Sequence, residues 1–77
     1  MTSDADTQRA ADQLNRELVR MDRGYIARAV LPSKIRVTKF WTVGKLPSGR
    51  EVSAAIVAVG LRVRRITHDH QGSLIEL

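Results

Sequence analysis

A chain of 77 residues, 43% hydrophobic and 27% charged, is one small globular domain: a polymer this short buries only about 60% of its unfolded surface and has room for neither a second core nor a large catalytic pocket. With no cysteine there is no disulfide framework, thiolate zinc centre or cysteine nucleophile, so packing or self-association has to offset the small size. Thirteen Lys and Arg against eight Asp and Glu, net +5 with a pI near 10.8, point to an anionic partner, nucleic acid first.

That charge is unevenly spread. Residues 1–24 hold four basic and five acidic side chains, a net of −1, and residues 25–77 hold nine basic and three acidic, a net of +6. No apolar run approaches the roughly 18 to 20 residues of a membrane span, and MTSDADTQ is acidic where a signal peptide is basic and then apolar. A cytoplasmic protein without a membrane partner is expected.

From Thr7 to Arg23 the apolar residues Ala11, Leu14, Leu18 and Met21 recur at steps of three and four, the stripe of an amphipathic helix. Asp12 with Arg16 and Glu17 with Arg20 supply oppositely charged neighbours on its surface. Thr7, or Ser3 further out, offers the N-cap oxygen, Gly24 the left-handed C-terminal residue, and Tyr25 a side chain to fold back on the last turn. Residues 1–6 read as a disordered tail and 7–77 as one domain. The helix serves as packing support, or as a dimer seam through Leu14 and Val19.

Tyr25 to Leu31 is a short apolar stretch, strand or helix, stopped by Pro32. KIRVTKFWTVG has two readings. Alternation puts Ile35, Val37, Trp41 and Val43 on one face of a strand, with Lys39 the exception. Helical spacing of Val37, Phe40, Trp41 and Gly44, with Ser33 as a cap, competes and is narrowly preferred for residues 34–43, with Phe40 and Trp41 in the core.

LPSGREVSAAIVAVGL carries matched start and stop signals for a helix over 48–59. Ser48 and Glu51 form a capping box, and Pro47 packs against Val52. Gly60 takes the left-handed terminator position with Leu61 folding back. Val52, Ala55, Ile56 and Val59 make the buried stripe. The rival reading, a turn at LPSGRE followed by a strand, is weakened by three alanines, which favour helix.

RVRRITHDHQGSLIEL then shows two short apolar runs around HDHQG, the pattern of a hairpin over 62–77. Val63 and Ile66 fall on opposite faces of an ideal strand, and a bulge near Arg64 and Arg65 reconciles them. Helix, glycine, Leu-x-Val-Arg-Arg, polar turn and closing strand together resemble the winged helix-turn-helix family over residues 34–77. The resemblance implies an α+β, winged-helix-like domain. In that family the helix before the hairpin enters the DNA major groove, a preceding helix braces it, and the wing touches backbone or minor groove. Carried over, the recognition helix is Ser48 to Val59 and the wing Arg62 to Leu77.

The exposed face of that helix offers Arg50, Ser53, Ala54, Val57 and Ala58. Only Arg50 and Ser53 hydrogen-bond usefully, so base specificity is expected to be weak. Arg62, Arg64 and Arg65, with His68, His70 and Gln71 at the tip and Lys45 in the preceding loop, are the other nucleic-acid-binding candidates. Adjacent strand residues point oppositely, so Arg62 and Arg64 are expected to reach phosphate together and Arg65 to matter less. His68 and His70 with Asp69 or Glu76 are too few ligands for zinc. No serine sits in a nucleophile elbow, and VGKLPSG lacks the Walker spacing. Three aromatics, Tyr25, Phe40 and Trp41, argue against base stacking on exposed rings. The expectation is therefore a DNA-binding protein without catalysis or cofactor, a transcriptional regulator or an excisionase-like architectural factor. It would dimerise or bind cooperatively on double-stranded DNA. The alternative is a small interaction or inhibitor protein that docks an acidic partner through Ala54, Val57 and Ala58.

Overall fold

The computed structural model describes residues 3–40 and 46–77. Six elements follow in order: α1 (Asp4–Met21), β1 (Tyr25–Val30), β2 (Lys34–Lys39), α2 (Gly49–Val59), β3 (Arg65–Asp69) and β4 (Gly72–Glu76). The domain is α+β, with the N-terminal helix, capped second helix and C-terminal hairpin that the sequence predicts. None of these helices is long and apolar enough to cross a membrane.

Helix α1 starts one turn earlier than its apolar stripe suggests. Ser3 is the cap, its Oγ accepting from the Asp6 N–H at 3.1 Å, and Asp4 and Asp6 sit where the helix dipole favours negative charge. Residues 3–6 are therefore cap and first turn rather than tail. Thr7 is buried, its hydroxyl donating to the Ser3 carbonyl at 3.0 Å. At the other end Asp22, not Gly24, closes the helix in the left-handed region with φ 53°, which Asp tolerates because its short side chain bonds locally. Leu14 is fully buried, so it cannot lie in a surface seam with Val19, which is 65% exposed.

Residues 34–39 form a strand, which overturns the preferred helix for that segment. Tyr25, at the start of β1, is buried in the same cluster as Leu14 and Leu18 of α1. β1 pairs antiparallel with β2 across Leu31, Pro32 and Ser33, from Tyr25↔Lys39 to Val30↔Lys34, and β2 pairs antiparallel with β4. A strand with partners on both sides satisfies its backbone, and period-two alternation places Ile35 and Val37 in the core. The helical count relied on Phe40, which is 55% exposed rather than core, and on Trp41 and Gly44, which lie outside the described residues, as does Val43.

At α2 the Ser48 Oγ accepts from the Glu51 N–H at 3.5 Å. The return arm of the capping box is not made. The Glu51 carboxylate is instead turned inward beside Tyr25, with Oε2 buried and unpartnered. Burial holds the Tyr25 phenol above its usual range and the Glu51 carboxylate adds to this, against the opposing effects of a hydrogen bond with the Ser48 backbone and of the Arg23 charge. Gly60 ends the helix at φ 67°, and the Leu61 N–H returns to the Ile56 carbonyl at 3.1 Å, the six-to-one bond of a Schellman motif. A Cβ at Gly60 would meet no atom within 4 Å, so Gly60→Ala carries only the backbone cost of the left-handed region. It is expected to destabilise by about 1 kcal/mol in urea unfolding, and a neutral result would show that the terminator does not hold this conformation.

The sheet order is β1-β2-β4-β3, antiparallel throughout. Both helices pack on one face: Leu14 and Leu18 of α1 and Val52, Ala55 and Ile56 of α2 share one buried cluster with Ala27, Ile35, Val37 and Ile75. β3 and β4 join through the two-residue turn His70–Gln71, flanked by the pair Asp69↔Gly72. Arg65 is the Cα partner of Glu76, and the Arg64 N–H also bonds the Glu76 carbonyl at 2.8 Å. Two consecutive residues thus meet one, the count of a β-bulge, and Val63 and Ile66 both pack on the core.

Candidate nucleic-acid interface

Because strand residues alternate between faces, the register defines what the helix-free side of the sheet displays. β1 contributes Ile26, Arg28 and Val30; β2 contributes Lys34, Arg36 and Thr38; β4 contributes Leu74 and Glu76; β3 contributes Arg65, Thr67 and Asp69. That side carries Arg28, Lys34, Arg36 and Arg65 against Asp69 and Glu76. The charge step seen along the chain becomes a step through the thickness of the domain, since α1 on the far side carries Asp4, Asp6, Asp12 and Glu17 among its arginines.

Within the sheet, Arg28 and Arg36 are direct cross-strand partners, and Lys34 lies two residues from Arg36 on the same face. Like charges opposite each other destabilise a strand pair by up to about 1 kcal/mol. Relief is partial. Arg36 reaches across β4, its Nη1 2.9 Å from both carboxylate oxygens of Asp69. That bond, helped by the Gln71 N–H at 2.8 Å, holds the Asp69 carboxyl below its usual range. Arg65 lies 3.8 Å from Glu76 with its side chain 74% exposed, a loose surface pair of little energetic weight. Arg28 and Lys34 have no carboxylate partner among the described residues.

The residues singled out in the sequence divide between two sides. Arg65 belongs to the helix-free face. Arg62 and Arg64 are exposed in the connection that enters β3, at the end of the sheet where Lys34 and Glu76 pair. Arg50 and Ser53 are exposed on α2, across the sheet from Arg65, so one flat surface cannot engage both groups. His68 turns to the helix side: its Nδ1 is 2.7 Å from the buried Ser73 Oγ, and its ring lies so close to Gly49 that a Cβ there would come within 2.9 Å of Nε2. His70 and Gln71 form the exposed turn. Lys45 lies outside the described residues. Arg28, Lys34 and Arg36 were missed by sequence reasoning, although a signal was present: residues 25–40 hold four cations and no carboxylate.

No known family, curated protein or solved structure matches the chain.

Proposed function

We propose that this chain is a non-catalytic, cytoplasmic DNA-binding protein that holds the phosphate backbone of duplex DNA against the helix-free side of its sheet. Arg28 and Lys34 on the strands and Arg62 and Arg64 at the entry to β3 are the contacts. The observation that carries the reading is the cluster Arg28, Lys34 and Arg36, three cations on two paired strands of which, among the described residues, only Arg36 is ion-paired, to Asp69. An anion laid over them removes a repulsion that the isolated domain has to bear.

The geometry favours backbone over base contact. Four strands place the outer pair about 14 Å apart, wider than the roughly 12 Å major groove. Such a sheet spans the phosphate ridges instead of entering between them. The base-reading candidates Arg50 and Ser53 lie on the opposite side, so binding is largely independent of sequence, as in an architectural factor, and the hairpin keeps the backbone-contacting role that the winged-helix resemblance gives a wing.

Counterion release supplies the test. Binding to a duplex titrated between about 50 and 200 mM salt should weaken steeply, and Arg28→Ala or Lys34→Ala should each lower the logarithmic salt slope by about one, equally for any sequence. Arg9→Ala on α1 should change neither affinity nor slope. Absence of binding at low salt, or an unchanged slope in both sheet variants, would refute the proposal.

A further inference from the structure

The two edges of the sheet are finished differently. On the outer edge of β1 the Asn15 side chain, reaching down from α1, accepts the Ala27 N–H at 3.1 Å, so a helix guards that strand against further pairing. Among the described residues β3 has no such guard: four of its five residues are exposed. The pair Asp69↔Gly72 flanks a two-residue turn and is therefore hydrogen-bonded, which directs the amides of Arg65, Thr67 and Asp69 toward β4 and those of Ile66 and His68 outward.

We infer that the β3 edge binds a second copy of this chain, antiparallel and centred on Thr67, joining the two sheets into one of eight strands. The charges on the strand select that occupant and that register. With Thr67 opposite Thr67 across a two-fold axis, Arg65 of each copy stands opposite Asp69 of the other, and the outward amides of Ile66 and His68 find each other's carbonyls. Both cross-copy ion pairs lie on the helix-free side. Arg65 is free to turn because its link to Glu76 is loose, at 3.8 Å with the Arg65 side chain 74% exposed. Asp69 keeps a third of its side-chain surface open beside Arg36, and a carboxylate has lone pairs for two guanidiniums. Helix α2 leaves room on the other side. Gly49, which touches His68, is followed at steps of four by Ser53 and Val57 along the flank beside β3. Small residues let the neighbouring helix approach, and Val57, 78% exposed, is the apolar group such an approach covers. This inference stands independently of nucleic-acid binding.

A five-residue edge is small beside the roughly 1,600 Å² of a standard interface, so the association is weak and is sought from about 10 µM to about 1 mM protein. Sedimentation equilibrium of the full chain is expected to move from monomer mass toward twice that mass over this range. Amide exchange at Ile66 and His68 should slow with concentration, while Arg65 and Thr67 are already protected in the monomer. Arg65→Glu alone or Asp69→Lys alone places like charges opposite each other twice and should weaken self-association at least about tenfold. An equimolar mixture of the two variants should restore it, because the reversals then face one another. A constant monomer mass overturns the inference, as does a dimer whose newly protected amides lie on β1 instead of Ile66 and His68. Folded single variants that associate as wild type does, or whose mixture fails to recover, overturn it equally. Should either variant not fold, the wild-type exchange pattern decides alone.

Discussion

Replacing Gly72 by alanine is expected to destabilise the domain by about 3 kcal/mol or more, the largest single-residue effect in the chain. Two causes act together. Gly72 holds φ 128°, a conformation in which L side chains are strained, and a Cβ built there would come to 2.1 Å from the Val37 carbonyl oxygen. That oxygen belongs to the backbone of β2 and cannot swing aside as a side-chain end would. Relief requires β4 to move away from β2, which breaks the Val37↔Ser73 pairing and opens the centre of the sheet. At the usual 0.05 to 0.15 kcal/mol per residue, a domain of this size is stable by roughly 4 to 12 kcal/mol, so the variant should lose much of its cooperative thermal transition. Gly60→Ala is the matched control, since φ is again positive but no atom lies within 4 Å of the added carbon. The difference between the two midpoints in urea isolates the steric contribution, and equal midpoints would mean that β4 does not approach β2 this closely.

Leu14→Ala should cost about 3 kcal/mol, within the range for removing a fully buried leucine that leaves a cavity behind. Leu14, on the buried face of α1, lies in the cluster that also contains Val52 of α2 and Ile35 and Ile75 of the sheet, so collapse around the gap would have to displace both layers. Leu14→Met, which conserves volume, should cost less than about 1.5 kcal/mol. Val19→Ala, on the same helix but 65% exposed, should be near neutral. A large loss at Val19 with little at Leu14 would place the wrong face of α1 against the sheet.

Gly72 also shows what a sequence conveys and what it withholds. HDHQG reads as a turn from local chemistry, and a glycine is expected there. The sharper demand comes from Val37, 35 residues earlier, whose carbonyl is brought to Gly72 only when the two hairpins pair side by side. No local pattern carries that information.

What the sequence determined by itself is whatever is written within one turn or one hairpin. The stripes of α1 and α2, the Ser48 cap, the Gly60 terminator, the turn at His70–Gln71 and the bulge at Arg64 and Arg65 depend on neighbours a few residues away, whose spacing is visible in the chain. Residues 34–39 lay between two periods that local spacing could not separate. The tertiary structure decided for the strand because β1 and β4 satisfy its backbone on both sides and α1 and α2 cover one of its faces. The same pairing reorganised the candidate site. Arg28, Lys34 and Arg36 become one cluster only when β1 and β2 align, and Arg50 and Ser53 part from Arg65 only because helix and strand lie on opposite sides of a sheet. Net charge is a sum over the chain and survives any fold. Which charges meet depends on strand register, and register is set by burial of one face of the sheet.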